Sequence, residues 1–374
     1  MKILYVTTIS DTMVFFPKLI ENLINEGHSV DIATNVSQAP VCECYYEWGC
    51  KVYPISCSRS PLSSGNMNAI GQIKKIVEEN NYDIVHCHTP IAALCTRLAC
   101  IKARKKGTKV FYTAHGFHFY KGAPLKNWVL YYTMEKLCGR LTDVLITINK
   151  EDYALAQKKI RAKKVAYVPG VGIDVDKFKN ITIDKTAKKA KLNIADDKIV
   201  LLSVGELNTN KNHETVIRAI KGIENVNYLV AGEGDLHQYL EEVIKELDLT
   251  DRVKLLGFRN DILELCSLAD VFVFPSIREG LPVSVMEAMA SSLPCVVTKI
   301  RGNTDLIDEN GGAFFEPCDV ECCKNAIKKV MNGDLASMGK YNQEKVSLFG
   351  NQAVIQQMME LYTEKREVKQ NVEA

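Results

Sequence analysis

Glu279 and Glu287 stand eight residues apart on either side of Gly280-Leu281-Pro282, within the segment Ser276–Ala290. The apolar run Val271–Phe274 ends at Pro275, a polar loop follows, and Pro282 suits a first helical position. Such a helix leaves N–H groups around Gly280, Leu281 and Val283 unpaired, with the helix dipole behind them, which is chemistry suited to a diphosphate. Two carboxylates, one before the helix and one within it, can address different hydroxyls of one extended ligand. An acidic residue at a helix start and a solvent-facing glutamate would give the same pattern.

Three further segments place polar residues at the ends of apolar runs. Ser203–His213 contains Gly205 and Lys211, and the lysine can reach a phosphate near the next helix start or simply be solvated. Val230–Asp235 ends in Gly232 and Gly234, which permit close backbone approach. Without the rest of a dinucleotide fingerprint these glycines are weak evidence for NAD. Thr113–His118 carries His115, and a lone histidine there could equally be structural.

These segments need elements to hold them. Apolar, β-branched runs alternate with helical patterns along the whole chain. In the first half the strand candidates are 2–9, 29–35, 51–56, 83–88, 109–115, 143–148 and 164–168. The second half has 199–205, 227–231, 253–257, 271–275 and 295–298. Helical patterns between them include 16–25, 68–79, 92–105, 126–139, 213–221, 236–247, 283–291 and 321–330. Near-continuous apolar strands separated by helices imply parallel sheets covered on both faces. Right-handed crossovers make each half a doubly wound, Rossmann-like α/β domain. The Pro/Gly cluster Pro169–Asp174 marks the boundary, giving domains 1–170 and 171–350. Residues 184–191 read as a solvated helix or loop. Gln352–Arg366, within a final segment 351–374, reads as an amphipathic helix that could pack back on the first domain or elsewhere. Ligands of open α/β sheets bind beyond the carboxyl ends of the strands, so the expected site is a cleft between the domains.

The chain has 374 residues, more than one core of about 250–300 residues accommodates, and its 47% hydrophobic and 25% charged content is that of a folded protein. No apolar run approaches the roughly 18 residues of a membrane span, and Asp11 interrupts the N-terminal run before a signal-peptide core could form. Thirteen cysteines, an odd number, show no metal-ligand spacing. They read as core or incidental thiols in a reducing cytoplasm. The net charge of +2 conceals +9 over residues 1–170 against −7 over the remainder. Either the first half meets something anionic or its lysines are simply solvated.

The four segments, in this order, resemble the family 4 (group 1) retaining glycosyltransferases of GT-B fold. Glu279 and Glu287 match that family's E-x7-E motif in its setting of Glu-Gly-Leu-Pro before and Glu-Ala-Met-Ala after. His86-Cys87-His88-Thr89-Pro90, Tyr112–Phe117, Lys121–Trp128, Ile148–Tyr153 and Gly205–Asn212 look like the bacterial capsular and exopolysaccharide branch. The resemblance spans essentially the whole chain. It implies that Glu279 contacts hydroxyls of a donor sugar and Glu287 the ribose of its nucleotide. Lys211 would neutralise the diphosphate, the backbone of Phe258 and Arg259 would frame the base, and His115 would stabilise the sugar in the transition state. The sequence departs from the family twice. Glu206 replaces a common phosphate-binding arginine, and Thr7–Asp11 lacks the usual glycine pair. A carboxylate beside a diphosphate is repelled, so Glu206 is expected to turn away, with Arg278 as a candidate both to pair with it and to approach the phosphates.

The expected reaction is transfer of a sugar from a nucleoside-diphosphate donor, of UDP type, to a glycan or polyprenyl-diphosphate-linked acceptor. The design requires no metal or other cofactor and no nucleic acid. The basic run Lys102–Lys106 and the aromatic stretch Trp128–Tyr132 suggest an anionic membrane surface as a further partner, at the inner face of the plasma membrane. The alternatives are a UDP-sugar 2-epimerase of the same architecture and a non-catalytic subunit that binds sugar nucleotides. A dehydrogenase is disfavoured because no dinucleotide fingerprint follows the first strand.

Overall fold

The computed structural model describes residues 1–179 and 181–364. The chain forms two compact units. One comprises Met1–Ile148, Asp152–Gly172 and the segment from Asn351 onward; the other comprises Asn149–Glu151 and Ile173–Gly350.

The first unit is built on seven parallel strands: β1 (Lys2–Val6), β2 (Ser29–Thr34), β3 (Val52–Pro54), β4 (Ile84–His88), β5 (Lys109–Ala114), β6 (Val144–Thr147) and β7 (Lys164–Tyr167). Their order is β3-β2-β1-β4-β5-β6-β7. β1, β4 and β5 are buried along almost their whole length, and in β4 (Ile-Val-His-Cys-His) that burial takes in two histidines. The chain direction across the sheet reverses between β1 and β4, and the loops that follow these strands open at that switch. The registers Val6↔Cys87 and His88↔Thr113 bring the carboxyl ends of β1, β4 and β5 side by side.

The last helix, Asn351–Thr363, packs on this unit. It buries Val354, Met358 and Tyr362 against the layer containing Ile3, Tyr5 and Phe16. Of the helix read from the sequence over 352–366, residues 365 and 366 lie outside the described residues. The pattern read as one helix over 126–139 has an internal π-helical stretch, Trp128–Tyr132, where Trp128 and Tyr132 turn onto Phe119.

The second unit has six parallel strands: β8 (Ile199–Val204), β9 (Val226–Ala231), β10 (Val253–Leu255), β11 (Val271–Phe274), β12 (Cys295–Thr298) and β13 (Gly312–Phe315), in the order β10-β9-β8-β11-β12-β13. β13 escapes a sequence reading because Gly-Ala-Phe-Phe is short and has no β-branched residue. Here the switch falls between β8 and β11, so the loops 205–212 and 275–282 become neighbours. All thirteen cysteines are free thiols, nine of them buried. No described helix is long and apolar enough to cross a membrane.

Candidate functional site

In the second unit the switch point assembles the residues that the sequence singles out. The loop after β8 is tied to the loop after β11 by backbone and side-chain bonds. The Ile277 N–H donates to the Asn210 carbonyl at 2.8 Å, and Asn210 Nδ2 donates to the Arg278 carbonyl at 3.0 Å. Across this junction Lys211 Nζ meets Glu279 Oε1 at 2.7 Å and lies 4.8 Å from the centre of the Phe274 ring. Both partners are largely withdrawn from water, with side chains 21% and 14% exposed. A partly desolvated pair of this kind is held more firmly than a surface ion pair, which contributes only about 0–1 kcal/mol.

The helix Val283–Ala290 begins beside this pair. Its N-cap, Pro282, makes no side-chain capping bond, which leaves the N–H groups of the first turn without an intrahelical acceptor. Leu281 is buried and anchors the loop, while Gly280 lies against Gly302: a Cβ on Gly302 would come 2.4 Å from the Gly280 carbonyl oxygen. Gly232 sits at φ +153°, and a Cβ there would lie 2.0 Å from the Gly205 carbonyl oxygen. Its N–H donates to the Gly257 carbonyl, so the ends of β8, β9 and β10 converge on bare backbone. Gly234 is pressed against Leu207 in the same way. Phe258 is 70% exposed, with its N–H directed at Glu233 Oε1. The Arg259 guanidinium forms a fork with Asp261, which Lys188 joins at 2.6 Å.

One expectation needs correction. Among the described residues no ion pair joins Glu206 to Arg278. The exposed Glu206 stays in solvent, and the cation–carboxylate contact forms between Lys211 and Glu279. Burial decides this, because Lys211 is held over Phe274, whereas a contact at exposed Glu206 would gain little.

Comparison with known proteins gives this geometry a family. Residues 184–345 match the family model "Glycosyl transferases group 1", and residues 2–149 match "Glycosyl transferase 4-like". EpsD, a glycosyltransferase-family protein of Bacillus subtilis (strain 168), is 36% identical over 320 residues, covering 83% of this chain and 84% of that protein. The chain belongs to the group 1 glycosyltransferases. A second relative of this glycosyltransferase is the UDP-Gal:alpha-D-GlcNAc-diphosphoundecaprenol alpha-1,3-galactosyltransferase of Escherichia coli. It is 30% identical over 74% of this chain and 73% of that protein. Among solved structures, Anabaena HepE in complex with UDP aligns with a TM-score of 0.81 at 19% identity, over 98% of this chain and 100% of that one. WaaG, a glycosyltransferase involved in lipopolysaccharide biosynthesis, aligns at 0.74 and 16% identity, over 97% and 100%. The fold of this glycosyltransferase is GT-B, with two Rossmann-like domains.

Burial sets the electrostatics of its strand ends. Glu287, mostly enclosed within its helix, is raised from 4.5 to about 7 by desolvation, which the charge of Lys177 opposes. In the first unit His115 follows β5, half-buried, and desolvation lowers it from 6.5 to about 4. It is the outermost member of a polar cluster. His115 Nε2 lies 3.1 Å from His88 Nδ1. Behind His88, the ring of His86 bonds Thr113 Oγ1 at 2.8 Å and Tyr362 Oη at 2.6 Å, and Tyr362 Oη in turn bonds Tyr5 Oη at 2.6 Å.

Sequence reasoning missed two participants. Arg301, buried in the loop after β12, directs Nε to the Glu279 carbonyl at 3.1 Å and so braces the loop 275–282. The signal was Arg301-Gly302 after an apolar run, the same strand-end pattern weighed elsewhere. Tyr362 gave no signal, because only packing carries the last helix to β1.

Proposed function

We propose that this glycosyltransferase moves a sugar from a UDP-linked donor to a polyprenyl-diphosphate-linked or glycan acceptor, with retention at the anomeric carbon, in bacterial exopolysaccharide or capsule synthesis. The observation that carries the reading is the Lys211–Glu279 pair at the uncapped start of Val283–Ala290. A cation, a carboxylate and the N–H groups of an uncapped helix start lie together there, which supports a site for a diphosphate and its sugar. Lys211 and the N–H groups of the first helical turn take the charge that accumulates on the β-phosphate as UDP departs. Glu279, released from Lys211, accepts from sugar hydroxyls. Glu287 accepts from the ribose, Phe258 and Arg259 frame the base, and His115 acts on the sugar. No metal ion has a part in this scheme.

The relatives support the choice of substrates. The E. coli enzyme is named for UDP-Gal and a diphosphoundecaprenol acceptor. A Campylobacter jejuni relative, 30% identical over 45% of this chain, is an N-acetylgalactosaminyltransferase named for a diphospho-undecaprenol acceptor. Both names specify an alpha linkage, the product expected when an alpha-linked donor is transferred with retention. UDP release from a panel of UDP-sugars, measured with undecaprenyl-diphosphate-linked saccharides, tests the reading. Turnover that depends on acceptor is expected. Release of an epimerised sugar from donor alone would overturn it.

A lipid-linked acceptor places the protein at the inner face of the plasma membrane, and the first unit carries a surface suited to that. Leu125, Val129, Leu130 and Leu137 are exposed, and Leu137 lines a groove of about 360 Å³ with Lys136, Arg140 and Arg161. Each basic residue near anionic lipid contributes roughly 1 kcal/mol, screened by salt. Sedimentation with phosphatidylglycerol vesicles but not phosphatidylcholine vesicles is expected at low salt; equal sedimentation with both would refute the membrane role.

A further inference from the structure

His88 has no role in the reaction as described, yet its surroundings fix it more tightly than packing alone requires. It ends β4, 2% exposed, with its ring centre 4.3 Å from that of Phe16 and 4.2 Å from that of His86, and stacked on Tyr5. The next residue, Thr89, lies at φ 68° and ψ 146°, a region that β-branched residues rarely enter. Its hydroxyl bonds Thr8 Oγ1 at 2.5 Å and donates to the His88 carbonyl. The turn that delivers His88 is therefore held against its own backbone preference.

The two ring nitrogens of His88 have unlike fates. Nδ1 faces His115 Nε2 at 3.1 Å, whereas Nε2 is buried with no hydrogen-bond partner. His88 also lines a cavity of about 20 Å³ with Phe16, Leu19, Met358, His86, Thr113 and His115, whose side chains offer Nε2 no hydrogen bond. Both rings are neutral at pH 7, since burial lowers both histidines well below 6.5. A single proton can lie between Nδ1 of His88 and Nε2 of His115. If His115 Nε2 carried it, the remaining proton of His88 would sit on Nε2, a buried donor without an acceptor. Orphaned N–H groups are rarer in proteins than under-used acceptors and cost about 1–3 kcal/mol. If His88 Nδ1 carries it, the orphan is only a lone pair. His115 is then protonated at Nδ1, which among the described residues has no protein partner.

We propose that His88 is a positioning residue: its Nδ1–H donates to His115 Nε2 and fixes His115 as the Nδ1–H tautomer, which presents a hydrogen-bond donor to an oxygen of the donor sugar. His115 therefore acts as an electrostatic stabiliser and not as a general base. The catalytic part of this inference rests on the proposed transfer reaction; the tautomer does not.

The test separates the two. In long-range 1H–15N spectra of the full-length protein labelled at histidine, with His115 assigned by its loss in His115→Gln, His115 should show the Nδ1–H pattern. In His88→Phe that preference should disappear. In His88→Asn, whose amide N–H can stand in for Nδ1–H, it should return. With a working donor and acceptor, His88→Phe should lower kcat about tenfold, the effect of losing one ordinary hydrogen bond, with donor KM within twofold, and His88→Asn should recover most of the loss. His115 protonated at Nε2 in the wild type overturns the proposal, as does equal kcat in His88→Phe and His88→Asn. Should His88→Phe fail to fold, the wild-type and His88→Asn spectra still decide. Absence of sugar transfer by the wild type would count against the transfer reading and leave the tautomer result standing.

Discussion

The two units present opposite solutions at the same topological place, the carboxyl ends of strands beside a sheet switch. In the first, neutral groups are packed together: Tyr5, Tyr362, His86 and Thr113 form a chain of hydrogen bonds, and His88, stacked on Tyr5 and beside His86, pairs separately with His115, with no ion among them. In the second, ions and bare backbone face each other: Lys211, Glu279, the uncapped helix and the stacked glycines. A buried neutral cluster fixes direction, because a donor left without an acceptor there is costly. An ion pair stores charge that can be redirected to an incoming phosphate. Under the proposed reaction the second unit would meet the anion, while the first unit would hold one histidine tautomer in place.

The largest effect is expected from breaking the ionic side. Lys211→Ala should reduce kcat/KM by about 10²–10³, comparable to loss of one oxyanion-stabilising donor, while Glu206→Ala should leave it within a few-fold. Steady-state turnover would decide; a silent Lys211→Ala beside an inactive Glu206→Ala would move the phosphate site elsewhere.

Next comes pH, to which the two regions should respond in opposite senses. The folded-state value of Glu287, about 7, lies above its ordinary 4.5, so between those values the folded protein holds the proton more tightly than the unfolded chain. Stability from this group falls as pH rises from 4.5 to 7, by on the order of 3 kcal/mol. Urea denaturation should therefore find Glu287→Gln near wild type at pH 5 and more stable at pH 8. His86 and His115 are lowered to about 3 and 4, so the unfolded chain holds more protons below 6.5 and stability falls on acidification. Both tryptophans, Trp48 and Trp128, lie in the first unit. Their fluorescence should report a urea midpoint that drops between pH 7 and pH 5. A midpoint that rises over that interval would remove the basis for a neutral histidine cluster.

A smaller effect sharpens the sealed side. Tyr362→Phe deletes a hydroxyl shared by Tyr5 and His86 and should cost about 1–3 kcal/mol, read as a lower melting temperature. A change under a few tenths would mean that the cluster is not closed as described. The smallest expected effect is none: chelation with EDTA should leave turnover unchanged, and loss of activity restored by a divalent cation would add a metal to the scheme.

Much of the architecture was legible because parallel strands covered on both faces cannot hide. β1, β8, β9 and β11 each hold at most one residue that is neither aliphatic nor aromatic, and each is followed by a polar turn and a helical pattern. The loop residues Gly205, Lys211, Gly232, Glu279 and Gly280 were legible for the same reason, since ligand chemistry sits where such strands end. β13 was not, being four residues without β-branching, and neither was the pairing of Lys211 with Glu279, which are separated by 68 residues.

What the sequence determined by itself was the alternation of buried strands and amphipathic helices, and the residue types placed at the strand ends. Those follow from local periodicity and turn chemistry, which act over a few residues at a time. Only the tertiary structure decided who meets whom. Strand order sets β8 beside β11, so Lys211 takes Glu279 and Glu206 stays in solvent. It sets β4 beside β5, so His88 reaches His115, and packing of the last helix carries Tyr362 across 357 residues of chain to Tyr5. Partner choice of this kind depends on which faces are buried together, and burial is a property of the assembled sheet, with no counterpart in the spacing of residues along the chain.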